Sequence, residues 1–246
     1  MWCAGVRRSV VGMTKTAVIT GASKGLGRAL AVELARDGWT VVVDARSTEA
    51  LAEAAAGIGP NAVPVPGDVT DPAHRDDLVR AVDAAGGIDL LVNNAGTLGT
   101  TPLPRLADQP LDDLEAAFRT NVAAPLALVQ AFLPGLRERR GAILNISSDA
   151  AVEPYRTWGG YGSTKAALEQ LSHVLAAEEP DVAVWWVEPG EMRTDMLRDS
   201  GEDADAAPPP EEAAAALHTL ITERRPSGRQ RVADLASPTI SEGTAQ

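Results

Sequence analysis

Tyr161 and Lys165 stand four positions apart, and Ser148 precedes the tyrosine by 13. Residues i and i+4 of a helix lie one turn apart on one face. A helix over 160–177 would therefore present a phenol and an ammonium together, with a hydroxyl on the segment before it. Three such groups can move a proton. A phenol has a pKa of about 10, so acid–base work near neutrality needs its anion stabilised by roughly 4 kcal/mol, or about three pKa units. A neighbouring ammonium supplies much of that. A lone Tyr-x-x-x-Lys pair is also what an amphipathic helix produces, but composition weighs toward chemistry. Arginine carries almost all of the positive charge, and lysine occurs only at Lys15, Lys24 and Lys165. Lysine, unlike arginine, has a charge that its surroundings can tune.

A second stretch with chemical potential is Thr20-Gly21-Ala22-Ser23-Lys24-Gly25-Leu26-Gly27. It stands where a β-branched apolar run, 16–20, meets apolar residues at helical spacing, 28–39. Glycine there lets backbone approach a phosphate, and the N-terminus of the following helix favours its charge. The spacing is G-x-x-x-G-x-G, not the commoner G-x-G-x-x-G. A glycine-rich turn taken alone could also be purely structural.

The elements that must position these residues alternate along the chain. Strands are expected at 16–20, 40–46, 62–65, 88–93, 142–147 and 182–187. Helices are expected at 28–39, 48–56, 72–85, 111–137, 160–177 and 211–222. Continuous apolar strands separated by helices imply an α/β fold, a Rossmann-like doubly wound parallel sheet with helices on both faces. We read one domain over 14–236, a flexible leader at 1–13, a disordered tail at 237–246, and an acidic, proline-rich loop at about 195–212. That loop reads either as a solvated linker or as a lid over a substrate.

Bulk properties narrow the partners. With 246 residues, 45% of them hydrophobic, the chain can bury one large core. A net charge of −12 argues against nucleic acid, which needs clustered Lys and Arg. The single cysteine, Cys3, permits no internal disulfide and fits a reducing compartment, while His74, His173 and His218 lack metal-ligand spacing, so no metal is expected. No apolar run reads as a signal peptide or a membrane span. The expectation is a soluble, cytoplasmic protein that uses neither membrane nor nucleic acid.

Further motifs follow in order: Asp68-Val69, Asn93-Asn94-Ala95-Gly96, Asn121, then Pro189-Gly190 with Thr194. With the glycine turn and Ser148, Tyr161 and Lys165, they make the chain from about Lys15 to Leu197 resemble the short-chain dehydrogenase/reductase family. That resemblance implies a site in which Thr20, Gly21, Ser23, Lys24, Gly25, Leu26 and Gly27 hold a dinucleotide. Asp68 and Val69 would contact adenine, Asn94, Ala95 and Gly96 would line the cofactor, and Pro189, Gly190, Met192 and Thr194 would lie beside the nicotinamide. Tyr161 would exchange a proton with the substrate oxygen while Ser148 hydrogen-bonds it. Lys165 would lower the phenol pKa and hold the ribose hydroxyls, and Asn121 would complete a proton relay. Ser147 is the neighbour most easily confused with Ser148, but the family spacing to Tyr161 selects Ser148.

Cofactor choice turns on Asp44-Ala45-Arg46 at the end of the second strand. A carboxylate there would accept from a ribose 2′-hydroxyl, whereas an arginine would pair with a 2′-phosphate. Aligned with the family pattern, the deciding position is Ala45, which leaves Arg46 facing the phosphate with Lys24 adding charge. This favours NADP. A shift of one residue would place Asp44 at the ribose and favour NAD. The resemblance further implies reduction of a ketone or aldehyde, or the reverse oxidation, on a small or medium apolar substrate. Tyr155, Trp158, Met192 and Leu197 are candidates for the substrate wall. Rival readings are an epimerase or dehydratase with bound cofactor, and a non-catalytic NADP-sensing protein. Near the C-terminus PSGRQRVADL replaces the family's glycine-rich last strand, so that strand is expected to be short. The resemblance implies a homodimer or homotetramer: the short strand would weaken the family's tetramer contact, whereas the dimer contact, formed in relatives by the helices that correspond to 111–137 and 160–177, would survive.

Overall fold

A computed structural model describes residues 14–235. The leader at 1–13 and the tail at 237–246, both named in the sequence reading, lie outside the described residues. Seven strands form one sheet in the order β3-β2-β1-β4-β5-β6-β7, and every neighbouring pair is parallel. The strands are β1 (Thr16–Ile19), β2 (Thr40–Ala45), β3 (Ala62–Pro66), β4 (Leu90–Asn93), β5 (Ala142–Ile146), β6 (Ala183–Glu188) and β7 (Gly228–Arg231). Helices α1 (Gly25–Arg36), α2 (Thr48–Ile58), α3 (Pro72–Ala84), α4 (Leu111–Phe118), α5 (Ala124–Arg139), α6 (Gly159–Glu178), α7 (Asp195–Asp199), α8 (Pro210–Glu223) and α9 (Val232–Leu235) complete the fold.

Alternate residues of the inner strands β1, β2, β4, β5 and β6 feed two cores, which is why those strands are largely apolar. Ile19, Val43, Leu144 and Trp185 face α1, α2 and α8, where Leu30, Leu34, Leu51 and Leu217 meet them. Val18, Val42, Ile143 and Val184 face the other way, against Leu78 of α3 and Leu128, Phe132 and Leu136 of α5. The strand order reverses between β1 and β4, so the crossovers after them depart to opposite faces and leave a crevice at their carboxyl ends. All of the sequence-selected motifs fall at that end of the sheet.

Two differences from the sequence reading have physical causes. The helix expected at 111–137 is one helical stretch to Arg139, but residues Arg119–Ala123 within it form a π turn that contains Asn121. Contrary to the expectation that no stretch suffices, Leu111–Arg139 is by length and composition able to cross a membrane. Its apolar residues recur at helical spacing because Leu128, Phe132 and Leu136 cover the sheet. The shortened last strand is seen: β7 has only four residues, paired from Trp185↔Gly228 to Glu188↔Arg231. The chain then turns directly into α9.

Candidate active site

The glycine turn is held open by its neighbours. Gly21 and Gly25 have φ of 65° and 58°, in the left-handed region that other residues rarely adopt. A Cβ on Gly27 would lie 2.5 Å from the Asn94 amide nitrogen and 2.8 Å from the Gly21 carbonyl, so the turn can pack against α1 only with glycine there. Asn94 donates through Nδ2 to the Thr20 carbonyl at 2.7 Å and the Gly21 carbonyl at 3.2 Å. The Thr20 hydroxyl accepts from the Asn94 and Ala95 amides, both at 3.0 Å. Thr20 and Asn94 thus tie the end of β1 to the end of β4.

A buried pair unforeseen in the sequence lies below this turn. Asp44 accepts from the Gly21 amide at 2.7 Å through Oδ1, and its Oδ2 meets His74 Nε2 at 3.0 Å. Burial raises the Asp44 carboxyl pKa, although the His74 and Gly21 hydrogen bonds oppose it. Both oxygens of Asp44 are therefore engaged by protein groups, although the residue also lines the cleft. Ala45 and the exposed Arg46 stand at the crevice. Asp68 accepts from the Thr70 amide and hydroxyl, each at 2.8 Å. Burial pushes its pKa up, but those bonds and the nearby Arg46 charge together hold it below the ordinary carboxylate value. Asp71 caps α3 by accepting from the Ala73 amide.

Helix α6 brings Tyr161 and Lys165 to one face, as their spacing requires, and both are buried. Lys165 Nζ donates to the Ile146 carbonyl at 2.8 Å and lies 5.5 Å from the Tyr161 ring centroid. Burial pushes the Lys165 pKa down to about 8. The Tyr161 phenol is pushed up, chiefly by burial and then by the Asp149 carboxylate, with the Ser148 hydroxyl opposing. The lowering expected from Lys165 is absent here, because its ammonium is directed at the Ile146 carbonyl. Tyr161 is accordingly a neutral phenol, the form that donates a proton. Ser148 donates to Asp149 Oδ1 at 3.0 Å and accepts from the Ala150 amide at 3.1 Å.

Asn121 is held entirely by protein. Its Oδ1 accepts from the Thr97 amide at 2.9 Å, while Nδ2 donates to the Thr97 carbonyl at 2.8 Å and to Thr164 Oγ1 at 2.9 Å. The π turn points this side chain between the loop after β4 and helix α6. Trp158 packs edge-on against Tyr161, with ring centroids 5.7 Å apart, so it supports the tyrosine as well as lining the crevice. Tyr155 is half exposed and donates to Asp149 Oδ2 at 2.9 Å.

One cleft of about 1100 Å³ joins these groups. It runs from Arg46, Asp68 and Val69 past Gly21, Ser23, Lys24, Gly25 and Leu26, then Asn94, Ala95 and Gly96. It ends among Ser148, Tyr155, Trp158, Tyr161, Lys165 and the segment Pro189, Gly190, Met192, Thr194 and Leu197. Thr20, Gly27 and Asn121 lie outside its lining and act through the contacts given above. The wall is less apolar than the sequence suggested, because Asp113, Asp149, Glu188 and Glu191 also line it. Asp149 beside Ser148, and Glu188 and Glu191 flanking Pro189-Gly190, carried a sequence signal in their positions, whereas Asp113 carried none. An open depression of about 460 Å³ beside the cleft shares Tyr155 and Trp158 with it.

A family model described as short chain dehydrogenase matches residues 15–205. The chain belongs to the short-chain dehydrogenase/reductase family. Its members are oxidoreductases that use a nicotinamide cofactor. Serine 3-dehydrogenase of Rhizobium radiobacter is 38% identical over 188 residues, 75% of this chain and 74% of that protein. An alcohol dehydrogenase from the archaeon Thermococcus sibiricus, solved with 5-hydroxy-NADP, superposes with a TM-score of 0.81 at 28% identity, covering 89% of this chain and 95% of that one. A short chain dehydrogenase from Shigella flexneri complexed with NADP gives 0.81 at 27% identity, covering 88% and 95%.

The short-chain dehydrogenase/reductase site fits its cofactor on its own geometry. The two positive-φ glycines leave a cradle free of Cβ atoms at the N-terminus of α1, where backbone amides and the helix dipole favour a pyrophosphate. Lys165 places a positive charge at the opposite end of the same cleft.

Proposed function

We propose that this short-chain dehydrogenase/reductase reduces a ketone or aldehyde with NADPH, or oxidises the corresponding alcohol, on a small or medium substrate. The observation that carries the reading is the buried neutral phenol of Tyr161 in one cleft with Ser148, Lys165 and the glycine turn. The bound nicotinamide would supply the hydride. Tyr161 donates its proton to the oxygen that becomes an alkoxide, and Ser148 turns from Asp149 to hydrogen-bond the same oxygen. Lys165 holds the ribose hydroxyls, and Asn121, its side-chain amide already engaged by Thr97 and Thr164, supports α6 in place of the relay role that the family resemblance implied. A carbonyl thus gains a hydride on carbon and a proton on oxygen.

The proposal is tested by titration with NADPH and NADH, followed by a carbonyl and alcohol panel read by nicotinamide absorbance. Carbonyl-dependent loss of NADPH absorbance is the expected result. Product isomers without that loss would instead mark an epimerase or dehydratase. Arg46 at the end of β2 supports NADP as the preferred cofactor, and the exposed Leu111, Leu126 and Val174 on α4, α5 and α6 support a homodimer or homotetramer. A cytoplasmic location accords with the sparse use of cysteine.

The depressed pKa of Lys165 gives a pH signature. An anionic cofactor favours the charged lysine, whereas burial in the free protein favours the neutral one. NADPH affinity should therefore be level below pH about 8 and fall as pH rises beyond it, by up to tenfold per unit. Nicotinamide fluorescence titrations between pH 7 and 9.5 check this, and Lys165→Met should abolish the slope.

A further inference from the structure

The short last strand, where the sequence leaves the family pattern, carries an arginine that reaches the catalytic centre from behind. Arg229 of β7 lies opposite Trp186 of β6 and projects across the end of the sheet. Its Nε donates to Glu169 Oε1 at 3.0 Å and Oε2 at 3.2 Å, and Nη1 to Glu188 Oε2 at 3.3 Å. Its Nη2 faces the Ser148 carbonyl at 3.5 Å. Glu169 Oε1 also accepts from the Ser147 hydroxyl at 2.6 Å. Glu188 lines the cleft, immediately precedes Pro189-Gly190, and is met a second time by Arg231 at 3.3 Å.

We infer that Arg229 is a positioning residue that sets the backbone of the catalytic serine against the Pro189-Gly190 segment. The inference rests on the proposed dehydrogenase/reductase reading. One guanidinium joins four elements: β7, α6, the end of β6 and the turn after β5. Its planar fork addresses two carboxylates and a carbonyl at once, which a lysine ammonium cannot match. The side chains of Arg229, Glu169 and Glu188 are only 27%, 13% and 15% exposed, so solvent screens them less than a surface pair. Ser148 and the hydride donor must keep their separation for turnover, and a misplacement of about 1 Å can cost on the order of a hundredfold.

The experiment compares Arg229→Met, Arg229→Lys and the near-isosteric Glu169→Gln with the natural protein. Amide hydrogen exchange is read at Ser147, Ala150 and Ala151, which are hydrogen-bonded in the segment that Arg229 holds. Val18 and Leu91 in the buried centre of the sheet serve as the reference. Arg229→Met should speed exchange at the three amides by roughly tenfold, leave the reference amides unchanged, and leave NADPH affinity within about threefold. On a turned-over carbonyl, kcat should fall about tenfold or more with KM nearly constant, and Arg229→Lys should recover part of the loss. Unchanged exchange at the three amides overturns the inference. So does equal acceleration at Val18 and Leu91, which would mean general loosening. If Arg229→Met does not fold, the same amides in Glu169→Gln decide. If the natural protein reduces no carbonyl, the functional reading fails alone, and the exchange pattern still judges Arg229.

Discussion

Replacing Tyr161 by Phe should lower carbonyl reduction by about a thousandfold while changing NADPH affinity by less than about threefold. The substitution removes one hydroxyl and keeps the ring. That ring is 7% exposed and meets Trp158 at 5.7 Å, so its packing survives without the oxygen. Ser148 and Lys165 also stay where they are, because their partners are Asp149, Ala150 and the Ile146 carbonyl. What disappears is the proton donor. Steady-state rates with saturating NADPH, together with fluorescence titration of the nucleotide, separate the two effects. Turnover retained within tenfold would place the donor elsewhere. Tyr155→Phe is the matched control, since this half-exposed phenol donates to Asp149 and would be expected to alter turnover far less.

The environment of Tyr161 also gives the two reaction directions different requirements. Burial and the Asp149 carboxylate keep the phenol protonated, which suits reduction across the neutral range. On the proposed reading, alcohol oxidation needs the phenolate, which among the described residues is favoured chiefly by the Ser148 hydroxyl. The missing stabilisation would come from positive charge introduced next to the ring. Lys165 is already within 5.5 Å of the ring centroid, and a bound oxidised nicotinamide would add a second cation. On the proposed reading, the phenol would become a better base once the cleft is filled, which would couple proton removal to cofactor binding.

The fold was legible because parallel strands buried on both faces must be apolar at every position, and runs such as Val41-Val42-Val43 say so directly. The chemistry of the site was legible where function demands a residue type at a fixed spacing: Tyr161 with Lys165 on one helical turn, and glycines where φ must be positive. What stayed hidden depends on contacts between residues far apart in sequence. Nothing in the stretch around His74 signals that its ring closes on Asp44, 30 positions earlier, or packs where a Cβ on Gly67 would fall 2.1 Å from its Nδ1. The partnership of Arg229 with Glu169 spans 60 positions and is hidden in the same way. Short irregular pieces such as the π turn around Asn121 also leave no periodic trace, because they are set by what the side chain must reach.

Arg46→Ala should weaken NADPH binding by about ten- to a hundredfold and leave NADH within about threefold, the scale of losing a hydrogen bond between charged groups. The argument rests on which groups at the end of β2 remain free to meet a nucleotide. Asp44, the carboxylate that could have selected NADH, has one oxygen on the Gly21 amide and the other on His74. Turning it to a ribose hydroxyl would give up its contacts with the Gly21 amide and the buried His74 ring. Lys24 is the second cation within reach, but its ammonium is paired with Asp195 at 2.6 Å and must leave it to serve a phosphate. Both members of that pair are exposed, and such pairs are worth little, so Lys24→Ala should cost NADPH several-fold less than Arg46→Ala. Competitive titrations of both nucleotides at two ionic strengths check the whole account. Because Arg46 is exposed, the part of any NADPH advantage that it supplies should shrink as salt rises. An equal loss of both nucleotides in Arg46→Ala would make the arginine a support of the loop and return the choice of cofactor to Asp44.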